Sequence, residues 1–171
     1  MPLLVFLLPM LVITLLILLK EKHPVVFKQE RIGKDKLPFN ILKFQTMVDG
    51  VVTPTGKVLR KTGLDELMQF INVLRGDMSI IGPRALMMAD IERLGWNDEY
   101  HSCRWSIKPG ISGFAQIYGG QHRKLSWFWD KKYIEHPNIF IDFRIICISF
   151  AMNLFGKTKV RRFIFKKSSL K

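Results

Sequence analysis

The stretch TPTGKVLRKTGLDELMQFINVLRGDMSIIGPR, residues 53–84, joins a periodic apolar segment to a glycine-containing loop. Within it, residues 64–74 (LDELMQFINVL) carry apolar side chains at positions 64, 67, 70, 71 and 74. This spacing follows the helical repeat and predicts one amphipathic helix. The next residues, 76–84 (GDMSIIGPR), break the repeat with glycines and a proline, so they predict a loop of the kind that carries function.

The flanking sequence predicts further elements, most of them helices. Residues 39–44 (FNILKF) alternate loosely between apolar and polar, as expected of a strand, and residues 24–27 (PVVF) predict a short extended segment. Helices are predicted at residues 85–94, 125–135 and 139–155, with a short connection at residues 48–55 and a turn, KPGISG, at residues 108–113. The pattern therefore predicts an α+β fold that is mostly helical, with a small strand component.

The composition indicates one domain of ordinary size with unevenly placed charge. The chain has 171 residues, with 27 Lys and Arg against 14 Asp and Glu, and a net charge of +13. Hydrophobic residues make up 48%, which excludes a disordered tail or a collagen-like repeat. Two cysteines cannot build a disulfide framework, and this favours a reducing compartment. Residues 1–19 contain no charged side chain, so an apolar segment precedes a basic body.

The apolar segment PLLVFLLPMLVITLLILL, residues 2–19, predicts a membrane anchor. As a straight helix it would extend roughly 27 Å, just under the ~30 Å of a hydrocarbon core. A re-entrant helix broken at Pro9 is favoured over a single spanning helix, because a proline in mid-segment removes a backbone donor and kinks the helix. A cleaved signal peptide is least favoured, since a basic leader and a small-residue cleavage site are lacking. The positive-inside tendency then predicts a membrane element at residues 1–22 and a cytoplasmic domain at residues 23–171.

The end of the chain, residues 157–171, is basic and contains no acid. Phe163 and Phe165 lie between its lysines and arginines, a mixture typical of contact with an anionic membrane surface. Nucleic acid could attract the same composition, and a solvated tail is the simplest alternative. The apolar segment at residues 2–19 favours the membrane.

Asp65 and Glu66 are adjacent carboxylates at the start of the predicted helix. A purely structural interpretation is available, since Thr62 could cap this helix with Asp65 as the acid of a capping box. The neighbouring residues favour chemistry. Lys43, Arg60 and Arg84 are cations close in sequence, and glycine loops lie beside Arg84 and beside Lys108, where backbone N–H groups can approach an anion.

Carboxylates among basic and glycine-containing loops suit a phosphate–Mg²⁺ site, in which an acid holds the metal and cations neutralise phosphate oxygens. At a helix N-terminus we expect Asp65 to stay ionised, so that it could attack phosphorus as a nucleophile. The sequence contains no Walker A motif, no zinc-type Cys/His spacing and no Ser-His-Asp signal.

Three long stretches resemble the bacterial sugar transferases, the monotopic phosphoglycosyl transferases that start polysaccharide and glycoconjugate synthesis. They are PVVFKQERIGKDKLPFNILKFQTM (24–47), the 53–84 stretch quoted above, and RWSIKPGISGFAQIYG (104–119). A weaker match is DKKYIEHPNIFIDFRII (130–146). The stretches keep their order over most of the chain and correspond to a catalytic core with a single N-terminal membrane element.

The resemblance implies a two-step transfer. Asp65 would attack the sugar-bearing phosphate of a UDP-sugar, UMP would leave, and a polyprenol phosphate would then take the phosphosugar from Asp65. Glu66, together with Asp65, would help to bind Mg²⁺, and Pro9 would mark the break in a re-entrant helix. The positions implied for substrate or phosphate contacts are Lys43, Arg60, Gly82, Pro83, Arg84, Lys108 and Asp142. For Asp142 the alternative is the polar face of an interfacial helix.

The resemblance also implies a location and partners. It places the protein at the bacterial inner membrane, with the catalytic domain on the cytoplasmic face. Anionic lipids and downstream membrane glycosyltransferases are the expected partners besides the two substrates, and nucleic acid is not expected.

Several positions depart from the family pattern. Gln45 stands where the family has the arginine of KFRTM or KFRSM, and Met68 and Ala85 stand where it has prolines. Gly119 and Gly120 replace a Gly-Arg pair, with Arg123 further along the chain. The alternative function is therefore a catalytically impaired relative that only binds membrane or a partner.

Overall fold

The computed structural model of the protein describes residues 2–119 and 123–168. Over these residues the chain forms seven α-helices and six short strands, so the prediction of a mostly helical α+β fold is confirmed. Its contacts divide it into two compact units. The first unit comprises Met1–Gln29 and Asn40–Asn72, and the second unit comprises Glu30–Phe39 and Val73–Lys171.

The first unit is built around the apolar N-terminal helix. α1 (Pro2–Leu16) continues as a short π-helix (Ile17–Glu21), which ends at Lys22 in the left-handed conformation. One side of this segment is buried in the core of the unit, which consists of Ile13, Ile17, Leu42, Phe44, Leu59 and Met68. The other side leaves large apolar side chains exposed, among them Leu8, Leu11, Leu15 and Leu19.

Pro9 lies inside α1, and residues on both sides of it are helical. The structure thus shows a proline within a continuous helix and does not show the break that we predicted there. A proline removes only one backbone donor, and the neighbouring residues keep their helical bonds. The re-entrant path and the boundary at residue 22 stay predictions. Among residues 2–119 and 123–168, no helix combines the length and apolar character needed to cross a membrane.

Four short strands lie between residues 26 and 52. β1 (Val26–Ile32) pairs with β2 (Pro38–Phe44), which confirms the strand predicted at residues 39–44 and extends the segment predicted at residues 24–27. β3 (Met47–Val48) and β4 (Val51–Val52) form a short antiparallel hairpin. The single connection predicted at residues 48–55 therefore holds a hairpin strand and the start of a helix.

α2 (Pro54–Thr62) is a helix that the apolar periodicity did not predict. Its start has a clear chemical cause, because Thr53 accepts a hydrogen bond from the Gly56 N–H at 3.0 Å and Pro54 occupies the first helical position. Gly56 is required for a close approach. A Cβ there would lie 2.3 Å from the carbonyl oxygen of Thr46.

The single helix predicted at residues 64–74 is divided in the structure. α2 ends at Gly63, whose φ of 72° places it in the left-handed region, and a 3-10 turn (Leu64–Glu66) precedes α3 (Gln69–Arg75). Thr62 is the last residue of α2, and its hydroxyl donates to the carbonyls of Val58 and Leu59. Its predicted role as an N-cap is therefore wrong, since the glycine after it ends one helix and a tight turn follows.

The second unit contains the remaining helices. They are a short 3-10 helix (Lys34–Lys36), α4 (Met88–Leu94), a second 3-10 helix (Glu99–Ser106), a π-helix (Ala115–Gly119), α5 (Arg123–Glu135), α6 (Ile139–Phe155) and α7 (Lys157–Ser168). The predicted helices at 125–135 and 139–155 are confirmed, and the one predicted from residue 85 begins at Met88. The predicted loop at 76–84 and turn at 108–113 each contribute a strand. β5 (Ser79–Ile81) and β6 (Gly110–Ser112) pair in parallel, and long-range pairing of this kind leaves no local periodicity.

Candidate active site

The dyad turn, Asp65 and Glu66 between α2 and α3, lies beside two cations of the first unit. Lys43 on β2 donates to Glu66 Oε1 at 2.6 Å, and both side chains are partly exposed. Arg60 on α2 and Lys43 both act electrostatically on Asp65. The structure therefore brings together four of the residues that the sequence predicted for the site.

Asp65 is half-buried, and this burial raises the pKa of its carboxyl group above the usual value. The neighbouring charge of Glu66 raises it further, while Lys43, a backbone hydrogen bond at Asp65 itself and Arg60 lower it. The sequence predicts a helix N-terminus at Asp65, which would favour the ionised form. Asp65 instead lies in a short turn after a helix end, so the shift has the opposite direction. Water is partly removed from this carboxyl group, which makes the ionised form more reactive toward an electrophile.

Thr46 orients one of the two cations and was not among the predicted site residues. It is buried, and its hydroxyl accepts a hydrogen bond from Arg60 Nε at 2.8 Å. Its carbonyl accepts the N–H of Thr53 at 3.0 Å, which fixes the start of α2. Its position three residues after Lys43, in the stretch KFQTM, was the available signal.

Glu21 binds the N-terminal end of α2, the helix that carries Arg60. Its Oε1 accepts the N–H of Thr55 at 2.7 Å, in the first turn of α2, and its Oε2 lies 2.8 Å from His23 Nε2. The carboxylate thereby ties the end of the π-helix to the N-terminus of α2, where a negative charge is favourable.

Gly82, Pro83 and Lys108 lie in the second unit, where two backbones come close together. The Gly82 N–H donates to the Ser112 carbonyl and the Gly110 N–H donates to the Pro83 carbonyl, both at 2.9 Å. A Cβ at Gly82 would lie 2.5 Å from the Lys108 carbonyl oxygen, so glycine is required for this approach. The geometry explains why these residue types occur here, and their contact with phosphate stays a prediction.

Arg84 lines a cleft of about 410 Å³ together with four other arginines. We call it the arginine cleft; its charged residues are Arg31, Arg84, Arg93, Arg104, Arg123, Asp90 and Asp130. All of them belong to the second unit.

Carboxylates and aromatic rings hold two of these arginines in place. Arg104 Nε donates to Asp130 Oδ2 at 3.2 Å with both side chains buried, and Arg104 Nη2 donates to the Arg84 carbonyl. The Arg104 guanidinium also lies over the rings of Trp96 and Trp105, at 5.4 and 5.0 Å from their centroids. Burial raises the pKa of Asp130 to about 6, although Arg104 and Arg84 oppose the shift. Asp90 pairs with Arg93 at 2.9 Å.

Two other predicted residues lie apart from these groups. Asp142, in the first turn of α6, accepts a hydrogen bond from the Tyr133 hydroxyl at 2.9 Å and so ties α6 to α5. Burial and this hydrogen bond raise the pKa of Tyr133. Pro9 lies in α1, and Gly120 lies outside the described residues.

Sequence reasoning missed the supporting residues of the cleft. Arg31, Arg93, Arg104 and Asp130 come from separate parts of the chain and share no periodicity. One signal was present, because Arg104 and Asp130 are the first residues of two stretches that carried the family resemblance.

The dyad turn offers oxygen ligands of the kind that Mg²⁺ takes. The described residues contain no group of three or more His, Cys, Asp or Glu that could hold a metal. Mg²⁺, however, is commonly held by one or two carboxylates together with substrate phosphates. The carboxylates of Asp65 and Glu66 fit that set.

The sequence is similar to one protein family and to several proteins that are named as sugar transferases or sugar phosphotransferases. The profile of the family described as Bacterial sugar transferase matches residues 1–156. The uncharacterized sugar transferase EpsL of Bacillus subtilis strain 168 is 38% identical, over 77% of this chain and 70% of EpsL. The UDP-glucose:undecaprenyl-phosphate glucose-1-phosphate transferase of Escherichia coli K12 is 37% identical, over 80% of this chain and 34% of that protein.

A third relative is the UDP-N-acetylgalactosamine-undecaprenyl-phosphate N-acetylgalactosaminephosphotransferase of Aeromonas hydrophila. It is 35% identical, over 80% of this chain and 37% of its own length. The chain thus spans most of EpsL but only about a third of the two relatives that are named for a reaction. Since the family profile matches well over half of the sequence, the chain belongs to the bacterial sugar transferase family.

Proposed function

We propose that this protein is a phosphoglycosyl transferase that moves a sugar-1-phosphate from a UDP-sugar to a polyprenol phosphate and releases UMP. The observation that carries the proposal is the half-buried Asp65 carboxyl group beside Glu66, Lys43 and Arg60. The names of two relatives, which pair a UDP-sugar with undecaprenyl phosphate, support the choice of substrates.

In the first step a carboxylate oxygen of Asp65 attacks the phosphorus that bears the sugar. A bond forms between this oxygen and phosphorus, the bond from phosphorus to the UMP oxygen breaks, and UMP leaves with the electron pair. Lys43 and Arg60 supply positive charge near Asp65, which favours both the ionised nucleophile and the charge on the phosphate oxygens.

In the second step an oxygen of the polyprenol phosphate attacks the same phosphorus. The bond from phosphorus to Asp65 breaks, and the electron pair returns to the carboxylate. The products are polyprenol-diphosphate-sugar and the free Asp65 carboxylate, so the enzyme is restored with atoms and charge balanced.

Asp65 and Glu66 are the residues that would hold Mg²⁺. When bound, this ion supplies charge neutralisation at the phosphate oxygens. Glu66 has a second contact, because Lys43 donates to its Oε1, and this ion pair keeps the lysine close to the dyad.

We propose that each unit contacts the membrane of the lipid acceptor through its own exposed apolar side chains, on the cytoplasmic side of the bacterial inner membrane. On α1 several leucines are exposed, and on α6 Phe140 and Phe143 are 81% and 68% exposed. Arg162 and Phe163 on α7 are exposed as well, which suits an anionic lipid surface. Exposed apolar area of this kind is typical of an interaction surface.

The test is UMP release from protein held in nanodiscs, with Mg²⁺, a short polyprenol phosphate and a panel of UDP-sugars. We expect Asp65→Asn to lower the rate by at least about a thousandfold, since a covalent nucleophile is lost. Asp49→Asn is the matched control, because Asp49 is an exposed acid of the same unit that lies outside the dyad turn. Full turnover by Asp65→Asn would contradict the nucleophile assignment.

A catalytically impaired relative is the second candidate, and Gln45 is the observation that favours it. Its amide donates to the Met47 carbonyl at 2.6 Å, so this position supplies a backbone contact and no positive charge. Folded, membrane-bound protein that releases no UMP with any sugar would favour this candidate over the transferase.

A further inference from the structure

We propose that the arginine cleft binds the phosphate group of a nucleoside monophosphate, the UMP that the proposed reaction releases. That the nucleoside is uridine rests on the proposed function. That the ligand carries a phosphate group is inferred from the residues of the cleft.

The charges of the cleft are unbalanced in favour of cations. Five guanidinium groups face two carboxylates, which leaves an excess of three positive charges. Asp90 lies within ion-pair distance of Arg93 and Arg31, and Asp130 is bonded to Arg104. Within residues 2–119 and 123–168, Arg84 and Arg123 form no ion pair with a carboxylate. Guanidinium groups collected in one cleft repel each other unless an anion joins them, and phosphate is the anion that their planar donor pairs match.

A buried donor in the same cleft also lacks a partner. Trp96 lines the cleft and is 2% exposed, and its Nε1 has no hydrogen-bond partner among the described residues. A buried indole N–H normally finds an acceptor. Nε1 of Trp105 and Nε1 of Trp127 also lack a partner among the described residues, so the Trp96 indole marks the packing beneath the cleft, and the case for an anion rests on the arginines.

The size and the walls of the cleft favour a nucleotide over a bare phosphate. Its volume of about 410 Å³ lies in the range of sites for small organic ligands, about 300–1,000 Å³. Leu86, Met87 and Leu94 give it an apolar wall beside the arginines, and Ser126 adds a hydroxyl group. One part of the ligand should therefore be a doubly charged phosphate, and another part should be uncharged and flat enough to pack on apolar side chains.

The experiment measures UMP binding by the full chain in nanodiscs, by calorimetry and by quenching of tryptophan fluorescence. We expect Arg123→Gln to weaken UMP binding about tenfold, as for the loss of one charge-assisted hydrogen bond. Arg75→Gln is the matched control and should leave the affinity unchanged. Both arginines are exposed, so neither change should prevent folding, and Arg75, the last residue of α3, does not line the cleft.

A third variant should strengthen UMP binding, whereas Arg123→Gln weakens it. Asp90→Asn removes one of the two carboxylates and should tighten UMP binding by about two- to threefold, because Arg31 and Arg93 then lose their competing partner. A purely structural role of Asp90 would give weaker binding. Unchanged affinity in Arg123→Gln, or weakening in Asp90→Asn equal to that in Arg123→Gln, would overturn the site.

Two competitors identify the source of the phosphate. Inorganic phosphate should displace UMP at least about tenfold less effectively than unlabelled UMP does, because it lacks the nucleoside. Equal displacement would overturn the nucleotide assignment, and stronger displacement by a short polyprenol phosphate would assign the cleft to the lipid.

Failure of this inference is distinct from failure of the proposed function. UMP binding that responds to Arg123→Gln, in protein that releases no UMP from any UDP-sugar, would leave the cleft in place and refute the transferase. Normal UMP release with an unchanged UMP affinity in Arg123→Gln would refute the cleft alone.

Discussion

The dyad turn and the arginine cleft use the same kinds of side chain in opposite proportions. In the dyad turn two carboxylates lie near Lys43 and Arg60, and the one ion pair among them joins Lys43 to Glu66. In the arginine cleft five guanidinium groups surround two carboxylates, and each carboxylate is used to hold an arginine. Among the residues that the structure describes, Asp65 in the dyad turn forms no ion pair, and Arg84 and Arg123 in the cleft form none. The first arrangement suits chemistry on phosphorus, and the second suits binding of an anion.

Burial raises the pKa of one aspartate in each region, and the two shifts have different meanings. Asp65 is half-buried, and a second carboxylate next to it raises its pKa further. Asp130 is fully buried, and its main partner is the opposite charge of Arg104, which also donates a hydrogen bond to it. A raised pKa therefore does not identify a reactive acid by itself. The neighbours decide whether the acid is reactive or structural.

The largest effect that separates the two regions is expected from Arg104→Met. This change leaves Asp130 buried without its cation and should lower the free energy of unfolding by about 3–5 kcal/mol. The pKa of Asp130, already raised to about 6, should rise further. Because the folded state then binds a proton more tightly than the unfolded state, the variant should gain stability as pH falls from neutral toward the unfolded value. Urea unfolding at pH 7.5 and pH 5 measures both effects.

The double variant Arg104→Met/Asp130→Leu is the control for this change. It removes the whole pair, so most of the lost stability should return and the dependence on pH between 5 and 7.5 should weaken. If Arg104→Met loses the same free energy at both pH values, Asp130 does not titrate as its burial implies.

A smaller effect in the dyad turn is expected from Lys43→Gln. Lys43 lowers the pKa of Asp65, so its removal lets that pKa rise. The ionised carboxylate is the reactive form, and activity is lost as pH falls through the pKa of Asp65. The acidic limb of the pH profile for UMP release should therefore move to higher pH. The plateau rate should also fall by about ten- to a hundredfold, because a cation near the phosphate is lost.

Lys57→Gln supplies the comparison, since Lys57 is an exposed lysine on α2 and the cations that lower the pKa of Asp65 are Lys43 and Arg60. The acidic limb of its pH profile for UMP release should match that of the unchanged protein. A shift to lower pH in Lys43→Gln would contradict the electrostatic role assigned to Lys43.

The sequence was most informative where local pattern and structure coincide. The strand near residues 39–44 and the helices α5 and α6 follow from alternation and helical spacing, and the Asp65–Glu66 pair is visible directly. The pairing of β5 with β6 could not be predicted, because each strand has three residues and its partner lies about thirty positions away. The arginine cleft was hidden for the same reason. Its residues come from five segments, and only folding of the second unit brings them together.

The error at residues 64–74 shows how a correct pattern can give a wrong boundary. Leu64, Leu67 and Ile71 do share a helical spacing, yet Gly63 ends a helix immediately before them and Asp65 falls in a turn. Leu67 and Ile71 of the predicted apolar face pack against the core of the first unit, whereas Leu64 and Leu74 are exposed, so the periodicity identified the buried face only in part. It does not show whether the backbone between these residues is continuous.

The smallest effects are expected at the two ends of α2. They test whether this helix ends at Gly63 and whether its N-cap stabilises the helix that carries Arg60. Thr53 caps α2, the helix that carries Arg60, so Thr53→Ala should lower the free energy of unfolding by about 1 kcal/mol. Thr62→Ala should cost less than about 0.5 kcal/mol, because Thr62 is at the end of α2 and its hydroxyl only donates to carbonyls of the preceding turn. The order would be reversed if Thr62 were the N-cap of a helix over residues 64–74. Thr53→Ala should also leave UMP affinity unchanged, since Thr53 belongs to the first unit and all five arginines of the cleft belong to the second. A stability loss without a change in UMP affinity would show that the cap of α2 supports the region of Arg60 and not the arginines of the cleft.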